Sequence, residues 1–216
     1  MKLIDRFLPS YDYRTVHAVS IRCTRQDAFN AIKQLTPAEL SRTVWVLLSA
    51  RGIPARLSRN PYPRIQPSLP IIDQLASAGF LVCDEDGESE IVLGIAGQFW
   101  KPHGGIRRVF FAEEFLTSDR LDCSLAALNF VVSEMPEYGS VLVTTETRIY
   151  TPDPKARRRF SLYWTFARFG SLHIRRDLLK AIKGRAERTT RWDSMSGTKS
   201  ADRLFQQVQH SRSSST

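Results

Sequence analysis

The sequence has few cysteines, and they are not arranged as crosslinks or metal ligands usually are. Among 216 residues there are three, Cys23, Cys83 and Cys123, and none belongs to a Cys-x-x-Cys pair. We therefore expect neither a disulfide framework nor a structural zinc site, and a reducing compartment is the simplest interpretation. No family-specific signature of cysteine and histidine surrounds them, which argues against a cysteine nucleophile.

Long apolar runs are also absent. No stretch reaches the roughly 18 apolar residues that a membrane-spanning helix needs. Near the start of the chain, Asp5 and Arg6 interrupt the apolar residues, so the pattern of a secretory signal peptide is missing. These observations predict a soluble, cytoplasmic protein.

Signatures of metal, nucleotide and nucleic-acid binding are missing as well. No histidine lies at metal-ligand spacing from another histidine or from a cysteine; the four are His17, His103, His173 and His210. Gly94 and Gly97 lack the strand-turn-helix context of a dinucleotide site and indicate a bend in a strand instead. No zinc-finger, RNP or GXXG motif is present. We expect no metal and no cofactor, and nucleic acid is the weakest of the candidate partners.

The composition that remains favours a folded domain with a positive charge. Hydrophobic residues make up 42% of the chain and aromatic residues 10%, enough for a sizeable core, and the formal net charge is +9. One domain at 1–189, followed by a polar, flexible tail at 190–216, fits this length and composition. The charge favours anionic partners, whether acidic ligands, membrane surfaces or nucleic acid.

Hydrophobic periodicity predicts a strand and two short helices in the first part of the chain. Residues 16–23 alternate between apolar and polar, which places His17 on one face of a half-buried strand. A helix is expected to follow Thr24 as its N-cap, and a second to open at Thr36-Pro37. Five prolines in 53–70 then predict a loop or lid.

Three hairpin signals predict an antiparallel meander after a helical turn at 71–77. Short turns that contain glycine or proline separate runs of strand-forming residues. The predicted strands are 80–83, 91–100, 107–115, 121–132 and 141–150. If the last turn pairs Val132 with Val141, then Asn129, Glu146 and Arg148 share one face, although a slip of one residue would separate them.

One long helix is predicted from Lys155 to about Glu187. Only Gly170 interrupts the pattern, and the length would be roughly 45 Å, enough to cross a whole sheet. Its apolar stripe recurs at steps of three and four residues and consists of Phe160, Trp164, Ala167, Ser171, Ile174, Leu178 and Ile182.

The order of these elements and four local phrases resemble a bacterial branch of the SRPBCC or START-like superfamily, which includes polyketide cyclases and lipid-transport proteins. The phrases are Leu8–Asp12, Val92–Trp100, Thr144–Arg148 and Arg158–Trp164. The resemblance covers roughly residues 8–188. It implies an α+β fold of the helix-grip type, in which a curved antiparallel sheet wraps around a long C-terminal helix and two short helices follow the first strand.

The same resemblance implies a cavity between the sheet and the long helix. Members of the superfamily commonly bind lipids, sterols, polyketides or other apolar molecules, and a minority catalyse cyclisation or dehydration. No catalytic motif of the family can be matched to this sequence. The resemblance therefore implies a ligand-binding chamber but assigns no catalytic residue.

Two groups of residues are candidates for contact with such a ligand. The first is drawn from the aromatic residues of the predicted strands and the long helix, which line either a pocket or an ordinary core; those assigned to the ligand site are Phe99, Trp100, Phe111, Phe130, Tyr163 and Trp164. The second is the polar group Asn129, Glu146 and Arg148. If it lies on the concave face, Arg148 could bind an acidic head group and Glu146 could orient it; the alternative is an ordinary solvated face of an antiparallel sheet.

The long helix is strongly basic. Between Lys155 and Arg191 only Asp177 and Glu187 oppose its lysines and arginines. Such a helix could dock on an anionic membrane surface or track the phosphates of RNA. The alternative is the solvated face of an amphipathic helix, with cations favoured near its C-terminal end.

These patterns leave three functional hypotheses. The first is a carrier or sensor that binds a small apolar or amphipathic molecule without catalysis. The second is a cyclase- or dehydratase-like enzyme that uses the same pocket, with His17, Glu114 or Glu146 as acid–base groups. The third is a module that docks on an anionic membrane or on RNA through its basic helix.

Overall fold

The computed structural model describes residues 1–44, 46, 65–101, 105–107, 112 and 122–213, with the backbone alone over 193–213. Four helices are fully bounded within these ranges: α1 (Leu3–Phe7), α2 (Arg25–Gln34), α3 (Ile71–Ser77) and α4 (Pro154–Ser213). The strands are β1 (Tyr13–Ile21), β2 (Leu81–Asp86), β3 (Glu90–Gly97), β4 (Ile106–Arg107), β5 (Ser124–Met135) and β6 (Ser140–Tyr150).

Six strands of the described chain form one curled antiparallel sheet. The order is β1-β6-β5-β3-β2, so the first strand pairs with the last. Both β2 and β4 pair with β3, β2 along its first part and β4 at its end. Together with the long C-terminal helix α4, this is an α+β arrangement of the helix-grip type. The predicted fold class is confirmed.

The sheet has two faces, and different helices cover them. On the inner face, β-strand residues such as Leu93, Phe130 and Val143 form one core with α2 and with the later part of α4, where Leu179 and Ile182 are buried. On the outer face, a smaller core joins α1 to the middle strands; its buried members are Ile4, Phe7, Leu8, Val92, Ala96, Leu125 and Ala127.

Strand β3 shows how the sequence produces this two-sided packing. All eight of its residues are buried, because α1 lies over one face and the main core covers the other. A strand buried on both sides has no solvent face, so its residues read as a continuous apolar run instead of an alternation. Strand β1 has only its inner face covered and accordingly alternates between half-buried and exposed positions up to Ile21.

Helix termini follow the capping rules that the sequence indicated. Thr24 precedes α2, and its hydroxyl oxygen accepts a hydrogen bond from the amide of Asp27 at 3.1 Å. At the start of α4, the carboxylate of Asp153 accepts from the amide of Ala156 at 2.7 Å, while Pro154 occupies the first helical position.

Several predicted boundaries differ from the structure in the first half of the chain. Strand β1 begins three residues before Val16, and the second helix opens as a short 3₁₀ turn at Pro37–Glu39. Residues 42–44 and 46 are helical, whereas most of the remaining predicted helix and residues 53–64 of the proline-rich segment lie outside the described residues. The helical turn at 71–77 is confirmed.

The hairpin predicted between strands 80–83 and 91–100 is confirmed, but its turn is shorter than expected, because β2 continues to Asp86 and β3 begins at Glu90. This edge strand tolerates acidic side chains, since Asp84 pairs with Arg6 and Glu85 with Lys33. The turn instead contains Gly87, whose φ of 49° suits glycine. Strand β3 ends at Gly97, so Phe99 and Trp100 lie in the turn that follows it. Of the predicted strand 107–115, only Arg107 is described as strand.

The hairpin between β5 and β6 is confirmed, but its register differs by two residues from the expected one. Val132 pairs with Val143 and not with Val141, because β5 runs on to Met135 and leaves a tight turn at 136–139. A shift of two residues keeps every side chain on its predicted face.

Helix α4 is longer than predicted. Its backbone is helical to Ser213, beyond the expected end near Glu187 and through most of the segment predicted as a tail. The prediction that this segment is flexible remains a prediction. In the described ranges, no helix is both long enough and apolar enough to cross a membrane.

Candidate functional site

The predicted polar group does come together, around one buried carboxylate. Asn129 lies directly opposite Glu146 in the sheet, and its side-chain oxygen accepts a hydrogen bond from the Glu146 amide at 2.9 Å. Glu146 is fully buried, with 0% exposure, and its carboxylate accepts from Arg14 Nε and Arg148 Nε, each at 2.7 Å, and from Lys2 Nζ at 3.1 Å. We call these residues, with Asp5 and Glu90, the outer-face cluster.

The surrounding cations decide the charge state of Glu146. Burial alone would raise the pKa of this carboxyl, but hydrogen bonds from Arg14, Arg148 and Lys2 outweigh it and hold the pKa at about 2. Glu146 is therefore ionised at neutral pH. It cannot supply a proton as a general acid, and its oxygens are already engaged.

The outer-face cluster holds the N-terminal segment on the sheet. Arg148 donates to Asp5 Oδ1 at 2.7 Å and to the carbonyl of Leu8 at 3.0 Å. From β3, the carboxylate of Glu90 accepts from the amides of Leu3 and Ile4, which open α1 and have no partner within that helix. These contacts are those of a structural clamp.

Asn129, Glu146 and Arg148 lie on the face of the sheet that points away from α4. The alternation of β6 decides this, because Thr145 faces Arg175 of α4 whereas Glu146 and Arg148 meet the N-terminal segment. The condition for a head-group site, that this face be the concave one, is not met. These three residues do not line the space between sheet and helix.

Aromatic side chains meet on the inner face, at the start of α4. Phe160 is 1% exposed and lies at the centre of this aromatic cluster. The other members are Tyr13, Phe99, Tyr163 and Trp164, with ring centroids 5.3, 6.4, 5.8 and 5.8 Å from that of Phe160. The structure thus joins three of the predicted ligand residues, Phe99, Tyr163 and Trp164, in one place.

The other predicted aromatic residues do not form part of this cluster. Phe130 is buried in the main core, so it packs in the interior of the fold. Trp100 is half-buried in the turn after β3. Phe111 lies outside the described residues, as does Glu114.

Arg175 projects from α4 toward the inner face. Arg175 Nη1 donates to the hydroxyl of Thr145, at a long 3.5 Å, and no carboxylate of the described residues pairs with it. Burial lowers the pKa of this guanidinium to about 10, which still leaves it charged at neutral pH. Its side chain is half-buried, and a half-buried cation with one long hydrogen bond among the described residues is costly unless an anion completes it.

His17 lies beside this arginine. It is the partner of Thr145 across β1 and β6, on the same inner face. Burial, and then the charges of Arg175 and Arg176, lower the pKa of His17 below its ordinary value. The imidazole is accordingly neutral at pH 7 and adds no charge beside Arg175.

The sheet-facing side of α4 is less completely buried near Arg175 and the aromatic cluster than it is toward Ile182. Trp164, Ala167, Ser171 and Ile174 belong to its sheet-facing stripe, yet each stays partly exposed. The same stripe is closed around Ile182 and Ala186, which are almost fully buried. We call the partly covered region, with Arg175, His17 and the aromatic cluster, the inner-face site.

Two surface depressions are lined by described residues. One, of about 570 Å³, opens beside the outer-face cluster at Lys2, Arg14 and Glu90. The other, of about 380 Å³, lies between the 3₁₀ turn and α4. Neither of these two depressions is lined by the aromatic cluster.

Sequence reasoning missed both Arg175 and the partners of the outer-face cluster. Arg175 stands one turn after Ser171 and beside Ile174, so a cation next to the apolar stripe was the available signal. Arg14 lies outside the predicted strand, but alternation places it on the outer face when β1 is extended back to Tyr13. Lys2 and Asp5 are brought in by α1, whose position on Glu90 of β3 no local pattern indicates.

The described residues offer little for a metal or for cysteine chemistry. No three histidine, cysteine, aspartate or glutamate side chains among them lie close enough to hold a metal ion. Burial raises the pKa of Cys23 to about 11 and that of Cys83 to about 12, so both are protonated thiols at neutral pH.

Comparison with known proteins does not identify a family for this chain. No family model matches the chain, and no curated protein is significantly similar to it. The resemblance to the SRPBCC or START-like superfamily therefore stays a prediction, and the site has to be interpreted from its own residues.

Proposed function

We propose that the protein binds a small amphipathic molecule with an acidic head group at the inner-face site, as a carrier or sensor without catalysis. The observation that carries this proposal is Arg175, a half-buried guanidinium on the inner face that no carboxylate of the described residues neutralises. A ligand carboxylate would supply charge-assisted hydrogen bonds, which are about twice as strong as neutral ones. A cytoplasmic location, as the sequence predicts, belongs to the same proposal.

The aromatic cluster would receive the apolar part of the ligand. Tyr163 and Trp164 of α4 are half-buried, and the ring of each packs against that of the buried Phe160. A site with apolar walls and one placed charge is the usual composition of a small-molecule pocket. The ligand would thus extend along α4 from Arg175 toward Phe160.

Catalysis is less well supported than binding. Of the acid–base groups considered, Glu146 lies on the other face and is held ionised, while Glu114 lies outside the described residues. His17 is the one that adjoins Arg175. A carrier or sensor needs no further group, so it is the function that we favour.

The proposal is tested with two single variants, in which either Arg175 or its neighbour Arg176 is replaced by glutamine. Arg175→Gln should weaken binding of cis-parinaric acid by about 10- to 100-fold, because a hydrogen bond to a charged group contributes roughly 1.5–3 kcal/mol. Arg176→Gln removes the same charge from an exposed position and should change affinity less than about twofold. Fluorescence titration measures the affinity of each variant. The methyl ester of cis-parinaric acid, which has no charge, should bind Arg175→Gln and the wild type equally.

Stability separates this role from a structural one. Since Arg175 is a half-buried cation without an ion-pair partner among the described residues, Arg175→Gln should leave the free energy of unfolding unchanged or raise it. The proposal fails if the wild type binds acid and ester equally, or if Arg175→Gln binds the acid as the wild type does. A large loss of stability in Arg175→Gln would also contradict it.

A further inference from the structure

An exposed apolar stripe runs along the first part of α4, on the side away from the sheet. Leu162, Phe166 and Phe169 are 71%, 77% and 57% exposed. Their spacings of four and three residues place them on one face of the helix. Scattered exposed apolar residues are ordinary, but three large ones in a row on one helix face indicate a surface that meets a partner.

Cations frame this stripe at both ends of the same face. Arg158 and Arg159 lie one turn before Leu162, and Arg176 and Lys180 continue the face beyond Phe169. All four are exposed, and none forms an ion pair with a carboxylate of the described residues. From Lys155 to Arg176 the sequence contains no aspartate or glutamate. The face is therefore apolar in the middle and positive at both ends.

Other basic residues of α4 form ion pairs within the fold, unlike the cations around the stripe. Arg157 pairs with Asp12, and both Arg185 and Arg188 pair with Glu39. Those cations hold the helix on the domain. The cations around the stripe do not, so the positive charge on this face is available to an external anion.

We propose that this face of α4 docks the protein on an anionic lipid bilayer. A helix that lies in the membrane interface buries an apolar face among the acyl chains and places lysines and arginines at the level of the head groups. Leu162, Phe166 and Phe169 would insert, while Arg158, Arg159 and Arg176 would meet lipid phosphates.

The observations favour a bilayer over the other anionic partners. RNA would engage the cations but would leave Leu162 without a burial partner, whereas a bilayer takes up both. An acidic protein would also meet the charges, but neither depression found among the described residues is lined by Leu162, Phe166 or Phe169, so no groove there would take an acidic chain along the stripe. This inference goes beyond the proposed ligand and stands without it, because its residues lie on the opposite side of α4 from the inner-face site.

Sedimentation with vesicles tests the docking face. The full chain should bind vesicles of phosphatidylcholine and phosphatidylglycerol but not vesicles of phosphatidylcholine alone, and binding should fall as salt is added. The double variant Phe166→Ser/Phe169→Ser should bind about tenfold more weakly or worse, since two large apolar side chains no longer insert. Arg158→Glu/Arg159→Glu should lose the preference for the anionic vesicles.

The control is an aromatic residue with similar exposure elsewhere. Tyr138 is 72% exposed in the turn between β5 and β6, and Tyr138→Ser should bind vesicles as the wild type does. The inference is overturned if the wild type binds neither vesicle, binds both equally, or is unaffected by the Phe166→Ser/Phe169→Ser change. It is also overturned if that change converts a dimer to a monomer in light scattering, which would make the stripe a self-association surface.

Discussion

Replacing Glu146 with glutamine is expected to lower the free energy of unfolding by about 3 kcal/mol at neutral pH. A pKa of about 2 in place of the ordinary 4.5 corresponds to roughly this difference. Removing one partner from a buried ion pair leaves the other charge uncompensated, which costs about 3–5 kcal/mol by itself. In this protein Arg148 is only 6% exposed, and among the described residues it would keep Asp5 alone as a carboxylate partner.

The effect of Glu146→Gln should depend on pH in a defined direction. The pKa of Glu146 is lower in the folded protein than in the unfolded chain, so its contribution is fully present above pH 4.5 and is lost as the pH falls toward about 2. The difference in stability between wild type and variant should therefore shrink over that interval. Urea unfolding at a series of pH values measures it.

The matched control for this substitution is Glu137, which is exposed in the turn between β5 and β6. Glu137→Gln is the same chemical change and should alter stability by less than about 0.5 kcal/mol. Equal stability of wild type and Glu146→Gln at pH 7 would contradict the interpretation of the outer-face cluster. So would a difference that persists undiminished at pH 2.

Release of the N-terminal segment should accompany the loss of stability. Among the described residues, the side chains of Lys2 and Asp5 contact the sheet through Glu146 and Arg148, so α1 loses part of its polar attachment when the carboxylate is removed. Hydrogen exchange at Ile4 and Phe7 should become faster in Glu146→Gln than in Glu137→Gln. This readout distinguishes a structural clamp from a ligand site, which would change binding without loosening α1.

Local patterns were sufficient for much of the fold. The alternation in 16–23, the turns rich in glycine and the stripe of α4 each depend on periodicities that near neighbours in sequence determine. Pairing of β5 with β6 was correct in face but not in register, because the number of residues in the turn decides the register. The end of α4 was missed because the polar residues after Thr190 carry no apolar stripe.

The candidate sites were harder to predict because their residues meet over long sequence distances. Asn129, Glu146 and Arg148 were correctly grouped from strand alternation, but alternation does not say which face the long helix covers. That depends on α1 filling the outer face, and Lys2 and Glu146 are 144 residues apart. Arg175 was counted as one of many surface cations, since sequence alone does not show which of them points inward.

Truncating Phe160 to alanine is expected to cost about 3–5 kcal/mol, as for other buried aromatic residues. Phe160 is 1% exposed, and four aromatic rings surround it. Its neighbours Tyr13, Phe99 and Trp164 come from β1, the turn after β3 and α4, so the cavity would open where these three parts of the fold meet. Incomplete collapse of such a cavity adds to the loss of apolar burial.

Phe166 is the matched control for Phe160, because it lies on the same helix and is 77% exposed. Phe166→Ala should change the free energy of unfolding by less than about 0.5 kcal/mol in urea denaturation, with an unchanged m-value. Phe160→Leu should recover part of the stability that Phe160→Ala loses, since it fills part of the cavity. If the two alanine variants were equally stable, the first part of α4 could not be packed on the sheet. Arg175 would then have no site to complete, and the stripe on the other side of the helix would have no fixed orientation.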